Sequence, residues 1–336
     1  MASRKTTTSP CPPEPPQKIA LGPDNPLVLT ALREDNPRDF LAALGLLDLI
    51  DRLYPSHEVT MLWHPSGHPS LSCKIPLPEN WLYKMACQIS ELNQTKPHPF
   101  IHHKIIKVSH PEFRKVLGRA INFSSNSDDY RTLPSSLYAA YGSQIHDLEQ
   151  AETTPTAFSF SNAQSGKELL RDVGELITMY FNLKELTEFL TNNPAGRKDA
   201  KSFRWHPSEL RSAAYRAHDP GGKISGDVVL DYPCANIFAF FGLTFYPVID
   251  TPLRELTLGI TRFNVLGDCF TWPIWTNNLS RDVITSLLHH QLIHAVNLKN
   301  TDLSSAGISG VFRCVRKKVG KAPTISLYFS PAEKIF

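Results

Sequence analysis

The chain has 336 residues, of which 41% are hydrophobic and 20% charged, and its formal net charge is +3. Such a composition supports a sizeable core, fits one large domain or two ordinary ones, and excludes wholesale disorder. The charge is too small for the whole chain to argue for a polyanionic partner, so any such case rests on local clusters. Six cysteines stand at 11, 73, 87, 234, 269 and 314, with no pair at a C-x-x-C spacing. A chain of this length folds without covalent staples, so free thiols in a reducing cytoplasm are expected. No apolar run reaches the length of a membrane span, and the first 17 residues lack the apolar stretch of a secretory signal. A soluble, cytoplasmic protein of bacterial type, without a membrane role, is the expectation.

Residues 1–18 read as a disordered, proline-rich tail. Cys11-Pro12-Pro13-Glu14-Pro15-Pro16 is short of amide donors and should be extended and solvated. Residues 27–32 suit a buried strand. Asn36-Pro37 opens a helix, with Asn36 as cap and Pro37 in the first turn, running to about Tyr54 before Pro55. Phe40, Leu41, Leu44 and Leu47 recur there at helical spacing. Ala42, Ala43 and Gly45 leave a shallow surface that a sheet or helix can approach, while Asp39, Asp48 and Asp51 should face solvent. Val59–Trp63 and residues 70–75 read as a strand pair around a Pro-Ser-Gly-His-Pro turn.

Helices are predicted over 79–92 and 111–121, and a strand at the end of 152–160. A long amphipathic helix bent at Gly174 is predicted over 165–190, and a further helix over 207–218. Polar and glycine-rich loops fill 192–201 and 220–226. Ile237-Phe238-Ala239-Phe240-Phe241-Gly242-Leu243 then echoes Phe40-Leu41-Ala42-Ala43-Leu44-Gly45-Leu46, sharing alanine third, glycine sixth and leucine seventh among bulky apolar residues. Each glycine-notched segment is expected to wedge against a sheet. A hairpin joins 257–264 to 269–274 and turns at 266–268. Ser280 caps a helix to about residue 294, and a terminal hairpin joins 310–319 to 324–329. Helices and mostly antiparallel strands mix without strict βαβ alternation, so the fold class is α+β. The echo allows two pseudo-repeated lobes, over 19–150 and 151–336.

Catalytic patterns are sparse. His290-Gln291-Leu292-Ile293-His294 has the spacing of a zinc-protease helix, but glutamine stands where the general-base glutamate belongs. The alternative for these imidazoles is a half-exposed face near a helix end. His146-Asp147 and His218-Asp219 are dipeptides of the kind that bridge metals in phosphohydrolases, and each also arises as a plain helix end or turn. Ser309-Gly310 lacks a nucleophile elbow, and Ser165-Gly166-Lys167-Glu168 fits a capping box rather than a phosphate loop. Trp272-Pro273-Ile274-Trp275 reads as core in preference to a binding platform. Neither catalytic residues, metal ligands nor a cofactor are assigned.

Three basic clusters remain. Lys104, Lys107, Arg114 and Lys115 lie among several histidines. Arg204, Arg211 and Arg216 interleave with Phe203, Trp205 and Tyr215. Arg313, Arg316, Lys317 and Lys318 sit on the terminal hairpin. Cations with interleaved aromatics can neutralise phosphates and stack bases, and solvated faces balanced by acids elsewhere are the plainer alternative.

Taken together, the early Pro37-to-Leu47 segment, Thr156-Ala157-Phe158-Ser159-Phe160, Glu209-Leu210-Arg211-Ser212-Ala213-Ala214-Tyr215, the segment from Asn236 to Val248, and Phe270-Thr271-Trp272-Pro273-Ile274-Trp275 carry a resemblance. The chain resembles small proteins of subtype I-G (formerly I-U) CRISPR loci, including a family described as an extension of the CRISPR helicase-nuclease. An accessory family of the I-U/I-B kind with an early Phe-Phe-Ala-x-x-Gly-Leu helix is a second likeness. The likeness spans roughly residues 27–288 and consists of packing motifs. It implies a non-catalytic component or accessory of a type I CRISPR-Cas antiviral defence system, with Cas effector subunits as partners and RNA-binding (crRNA) or DNA-binding as its activity. A metal-dependent nuclease using a His-Asp pair, and a pure protein–protein adaptor, are the alternatives.

Overall fold

The computed structural model describes residues 19–94, 110–124, 130–142, 156–160, 169–191, 203–207, 232–250, 255–295, 298, 300–319 and 326–336. The proline-rich tail, the predicted helix over 207–218 beyond its first residue, and the loops over 192–201 and 220–226 lie outside them. Among the described residues the helices are α1 (Pro37–Leu53), α2 (Trp81–Gln94), α3 (His110–Ser124), α4 (Leu133–Tyr141), α5 (Leu169–Tyr180), α6 (Leu183–Leu190), α7 (Pro233–Gly242), α8 (Arg281–Leu288) and α9 (Asn300–Ser305). One sheet has the order β1 (Leu27–Val28), β3 (Pro69–Cys73), β2 (Val59–Trp63), β8 (Leu279–Ser280). A second has the order β10 (Ser326–Phe329), β9 (Ile308–Val319), β7 (Gly267–Trp275), β6 (Ile260–Phe263), with β11 (Glu333–Lys334) also on β9. β4 (Val248–Asp250) and β5 (Glu255–Thr257) form a separate pair. All these pairings are antiparallel, and the class is α+β.

α1 begins as its sequence demands. The Asn36 side chain accepts from the Arg38 and Asp39 amides, and Pro37 occupies a first-turn position whose amide needs no partner. Every residue from Pro37 to Ile50 is buried, and so is all of α7. A helix covered on all sides belongs to the centre of the molecule rather than to its surface. At their glycines the two notched segments meet each other rather than a sheet, while Phe40 of the first reaches both larger sheets. A Cβ on Gly45 would strike the Phe238 carbonyl oxygen and lie 2.7 Å from the Gly242 nitrogen. A Cβ on Gly242 would strike the Leu41 carbonyl oxygen and lie 2.9 Å from its carbon. The contact is reciprocal: the sixth residue of each motif rests on the carbonyl of the second residue of the other.

Around this pair a single core cluster runs from Leu21 to Phe329. Phe40 projects from α1 between the two larger sheets. Its ring lies 5.8 Å from that of Trp63 on β2, and 5.6 Å and 6.4 Å from those of Trp272 and Trp275 on β7. Both β7 tryptophans are fully buried and donate their indole N–H groups, Trp272 to Glu34 O and Trp275 to Met61 O. The Trp-Pro-Ile-Trp run is therefore core, as expected.

Two expectations about α1 fail. Asp39 and Asp48 are buried, not solvated. Asp48 accepts from Arg52 Nε (2.9 Å), Thr244 Oγ1 (3.1 Å) and Arg281 Nε (2.5 Å), and Arg52 reaches on to Thr132 and to Ser136 Oγ (3.1 Å). A buried carboxylate persists only where hydrogen-bonded cations replace its water, and this one ties α1 to α4, α8 and the 3-10 turn after α7. Asp39 is held by Arg38 at 2.7 Å, and burial pushes its carboxyl above the ordinary range against the pull of that guanidinium.

Other elements shift. The predicted helix over 165–190 is two helices, because Asn182 leaves helical geometry (φ −123°, ψ 165°) and caps α6 through the Glu185 amide. Gly174, the expected bend, lies inside α5, and its carbonyl accepts from Asn93 and Thr178. Residues 156–160 form no strand, and α4 and β11 were not foreseen. Cys73, Cys234, Cys269 and Cys314 are buried free thiols, as expected of them. Among the described residues no helix is long and apolar enough to cross a membrane.

Gly45→Ala and Gly242→Ala should each lower the unfolding free energy by about 3 kcal/mol, since each methyl meets backbone that cannot turn aside. Gly118 lies in α3 with nothing within 4 Å of its Cβ position, so Gly118→Ala should raise stability by about 1 kcal/mol. Urea unfolding followed by tryptophan fluorescence checks both, and equal responses at the three glycines would show that the notches do not matter.

Candidate nucleic-acid interface

The second sheet has two differently used faces. Side chains alternate along β9. Phe312 and Cys314 turn to the main core, while Val311 joins Ile293, Leu303 and Ile308 in a small second cluster. Arg313 falls on that second side. It is buried, its guanidinium lies 4.3 Å over the Phe263 ring, Nε donates to Thr271 Oγ1 (3.0 Å), and Nη2 donates to Ala295 O (2.9 Å). Burial draws its pKa down. Arg313 is thus a packing residue inside the fold, and the sequence pattern that grouped it with surface cations did not reveal this.

Arg316 is further along β9, near the end of the sheet. Its Nη1 lies 3.7 Å from Asp268 Oδ2, its guanidinium 5.5 Å over the Phe160 ring, and its buried Nε has no hydrogen-bond partner among the described residues. Burial lowers its pKa while Asp268 opposes that shift. Arg204 arrives from a different cluster. It sits at φ 61°, donates from Nη1 to Phe160 O (3.2 Å), and lies 5.3 Å over the Tyr328 ring. Phe160 in turn meets the Phe329 ring edge-on at 4.5 Å. Two clusters far apart in sequence are thereby joined into one shelf of cations on aromatic faces. Such cation–ring pairs are worth about 0.5–1 kcal/mol each when exposed and more when desolvated.

Lys317 and Lys318 follow Arg316 and are exposed, on opposite faces of β9 because they are adjacent. Arg262 on β6, exposed and registered opposite Asp268, belongs to the same end of the sheet and was missed in the sequence. Its alternation with Phe263 along the hairpin was the available signal. Arg114 and Lys115 are exposed on α3, whose buried side is Phe113, Val116 and Ala120. Lys104, Lys107, Arg211 and Arg216 lie outside the described residues.

The histidines divide similarly. α8 ends at Leu288, and His290 caps a separate 3-10 turn that His294 closes, so they are not one turn apart on an α-helix. His290 Nδ1 accepts from the Leu292 amide. His294 pairs with Leu288 O (2.9 Å) and Thr261 Oγ1 (3.4 Å). Among the described residues no three His, Cys, Asp or Glu side chains gather as metal ligands. His146, Asp147, His218 and Asp219 lie outside them. No protein-family model matches this chain, and no curated protein matches it.

The segment carrying Arg204 also reaches the start of α1. Trp205 Nε1 donates to Phe158 O (2.8 Å), and His206 comes within the field of Arg38. Burial first, then the positive charge of Arg38, hold the His206 imidazole down at about 3 against the pull of Asp35. Between that value and an ordinary one of about 6.5, the unfolded chain binds a proton that the folded chain refuses. Stability from this group is therefore complete above about pH 6.5 and falls as the pH drops towards about 3, by up to about 1.4 kcal/mol per unit. Urea midpoints of the wild type and His206→Gln across this range should diverge with a shallower acid slope in the variant. Parallel curves would place the proton uptake elsewhere.

Proposed function

We propose that this chain is a non-catalytic component or accessory of a type I CRISPR-Cas antiviral system that contacts nucleic acid through the outer end of its second sheet. The carrying observation is the Arg204–Tyr328 and Arg316–Phe160 shelf beside exposed Lys317 and Lys318. Guanidinium groups pinned on rings form a rigid base, and mobile lysines at its rim are suited to phosphates. The resemblance of its packing motifs to those of proteins of subtype I-G loci supports the antiviral context, and with it a cytoplasmic setting and Cas effector subunits as partners. Exposed Arg114 and Lys115 on α3 offer a second hold on phosphate.

The test is a mobility-shift series with crRNA, duplex DNA and single-stranded DNA at several salt concentrations. Lys317→Glu with Lys318→Glu should weaken binding evenly across sequences and reduce the salt slope by about one for each phosphate no longer neutralised. Absence of binding at low salt, with no co-purification of effector subunits, would reject the reading. Stable effector complexes without nucleic-acid affinity would replace it with an adaptor. Metal-dependent cleavage abolished by His218→Ala would replace it with a nuclease.

A further inference from the structure

The β6–β7 hairpin closes with Asn264, Val265 and Leu266, since Phe263 is registered opposite Gly267. Gly267 holds φ 83° and a Cβ there would touch nothing within 4 Å, so the turn needs glycine for its backbone alone. Nothing in that geometry asks for Val265 and Leu266. Turn tips favour Asn, Asp, Ser and Gly, and a β-branched residue is a poor choice. Yet Val265 is 95% exposed, Leu266 is 50% exposed, and the fold draws little from either.

Their surroundings are cationic. Cys269 is registered opposite Val315, and the Arg316–Asp268 pair at 3.7 Å continues that register. Lys317 and Lys318 follow Arg316 on β9, beyond the last registered pair of β7 and β9 and at the same end as the apolar tip. Among the described residues of β6, β7, β9 and β10 at this end, the cations Arg262, Arg316, Lys317 and Lys318 are accompanied by one carboxylate, Asp268. Because Lys317 and Lys318 point to opposite faces, positive charge brackets the ribbon on both sides. A hairpin end with an apolar point and cations on it and on the neighbouring strand β9 is complementary to a stacked polyanion. A membrane would instead ask for a broader apolar surface.

We infer that the β6–β7 hairpin is a wedge for duplex DNA: Val265 and Leu266 enter between base steps while Arg262, Lys317 and Lys318 hold the flanking phosphates. The inference rests on the nucleic-acid reading above and adds the form of the substrate. An apolar wedge unstacks a step and bends the duplex, and flexible pyrimidine–purine steps yield most readily. A duplex centred on a TA step is therefore preferred over a stiff A-tract.

The full chain and its Val265→Ser, Leu266→Ser double variant are compared on a TA-centred duplex, an A-tract duplex, single-stranded DNA and vesicles of anionic lipid. The duplexes carry 2-aminopurine at the central step. The wild type should raise 2-aminopurine fluorescence on the TA duplex. The variant should lose that signal and about tenfold in duplex affinity, with an unchanged melting temperature, salt slope and single-strand affinity. Equal duplex binding and fluorescence by wild type and variant, with Lys317→Glu and Lys318→Glu still weakening binding, would overturn the wedge and leave the nucleic-acid reading standing. No binding to any nucleic acid by the wild type would overturn both. Tip-dependent capture by vesicles, without tip-dependent duplex binding, would assign the hairpin to a lipid surface instead.

Discussion

Where α1 meets α7, backbone rests on backbone, and the described fold is arranged around that contact. Gly45 on the Phe238 carbonyl and Gly242 on the Leu41 carbonyl bring α1 and α7 closer than any side chain would permit. At that distance α1 can be enclosed on every side. Phe40 is then carried into the aromatic space between the two larger sheets, and Asp48 into reach of Thr244 and Arg281. Close packing makes such an approach unforgiving, because interiors have no slack in which to absorb an added methyl group.

The buried charges follow from the same enclosure. An acid on a helix that is covered all round has lost its water and must find cations. Asp48 has Arg52 and Arg281, and Asp39 has Arg38. These pairs contribute little net stability against well-packed apolar alternatives, but removing one partner leaves a bare charge in a poorly polarisable interior. They therefore act mainly to hold α4, α8 and the turn after α7 in one arrangement about α1.

On the second sheet, arginines and lysines that look alike in sequence separate by depth. Arg313 and Arg316 lie over Phe263 and Phe160, where a delocalised guanidinium tolerates partial desolvation. Lys317 and Lys318 keep their compact, strongly hydrated ammonium groups in water. The shelf that Arg204 and Arg316 build on Tyr328 and Phe160 is anchored where the Phe160 ring packs edge-on against Phe329, on the same strand as Tyr328.

Residues read without their distant neighbours were enough for whatever is local. The Asn36 cap, the Pro37 start, the β2–β3 pair, the β6–β7 ribbon and the terminal hairpin all follow from periodicity, caps and turns, which residues a few positions away decide. The glycine echo announced a close approach but not its partner. The Asn182 cap that breaks the helix over 165–190 is an equally local signal, an acceptor for the amide three residues on. Only the assembled fold could establish that α1 packs on α7, that Asp39 and Asp48 lie inside, that Arg313 is core, and that Arg204 and Arg316 share a shelf. Each depends on desolvation by groups far along the chain. Periodicity records which residues share a face, and packing alone determines whether that face meets water, a ring or another backbone.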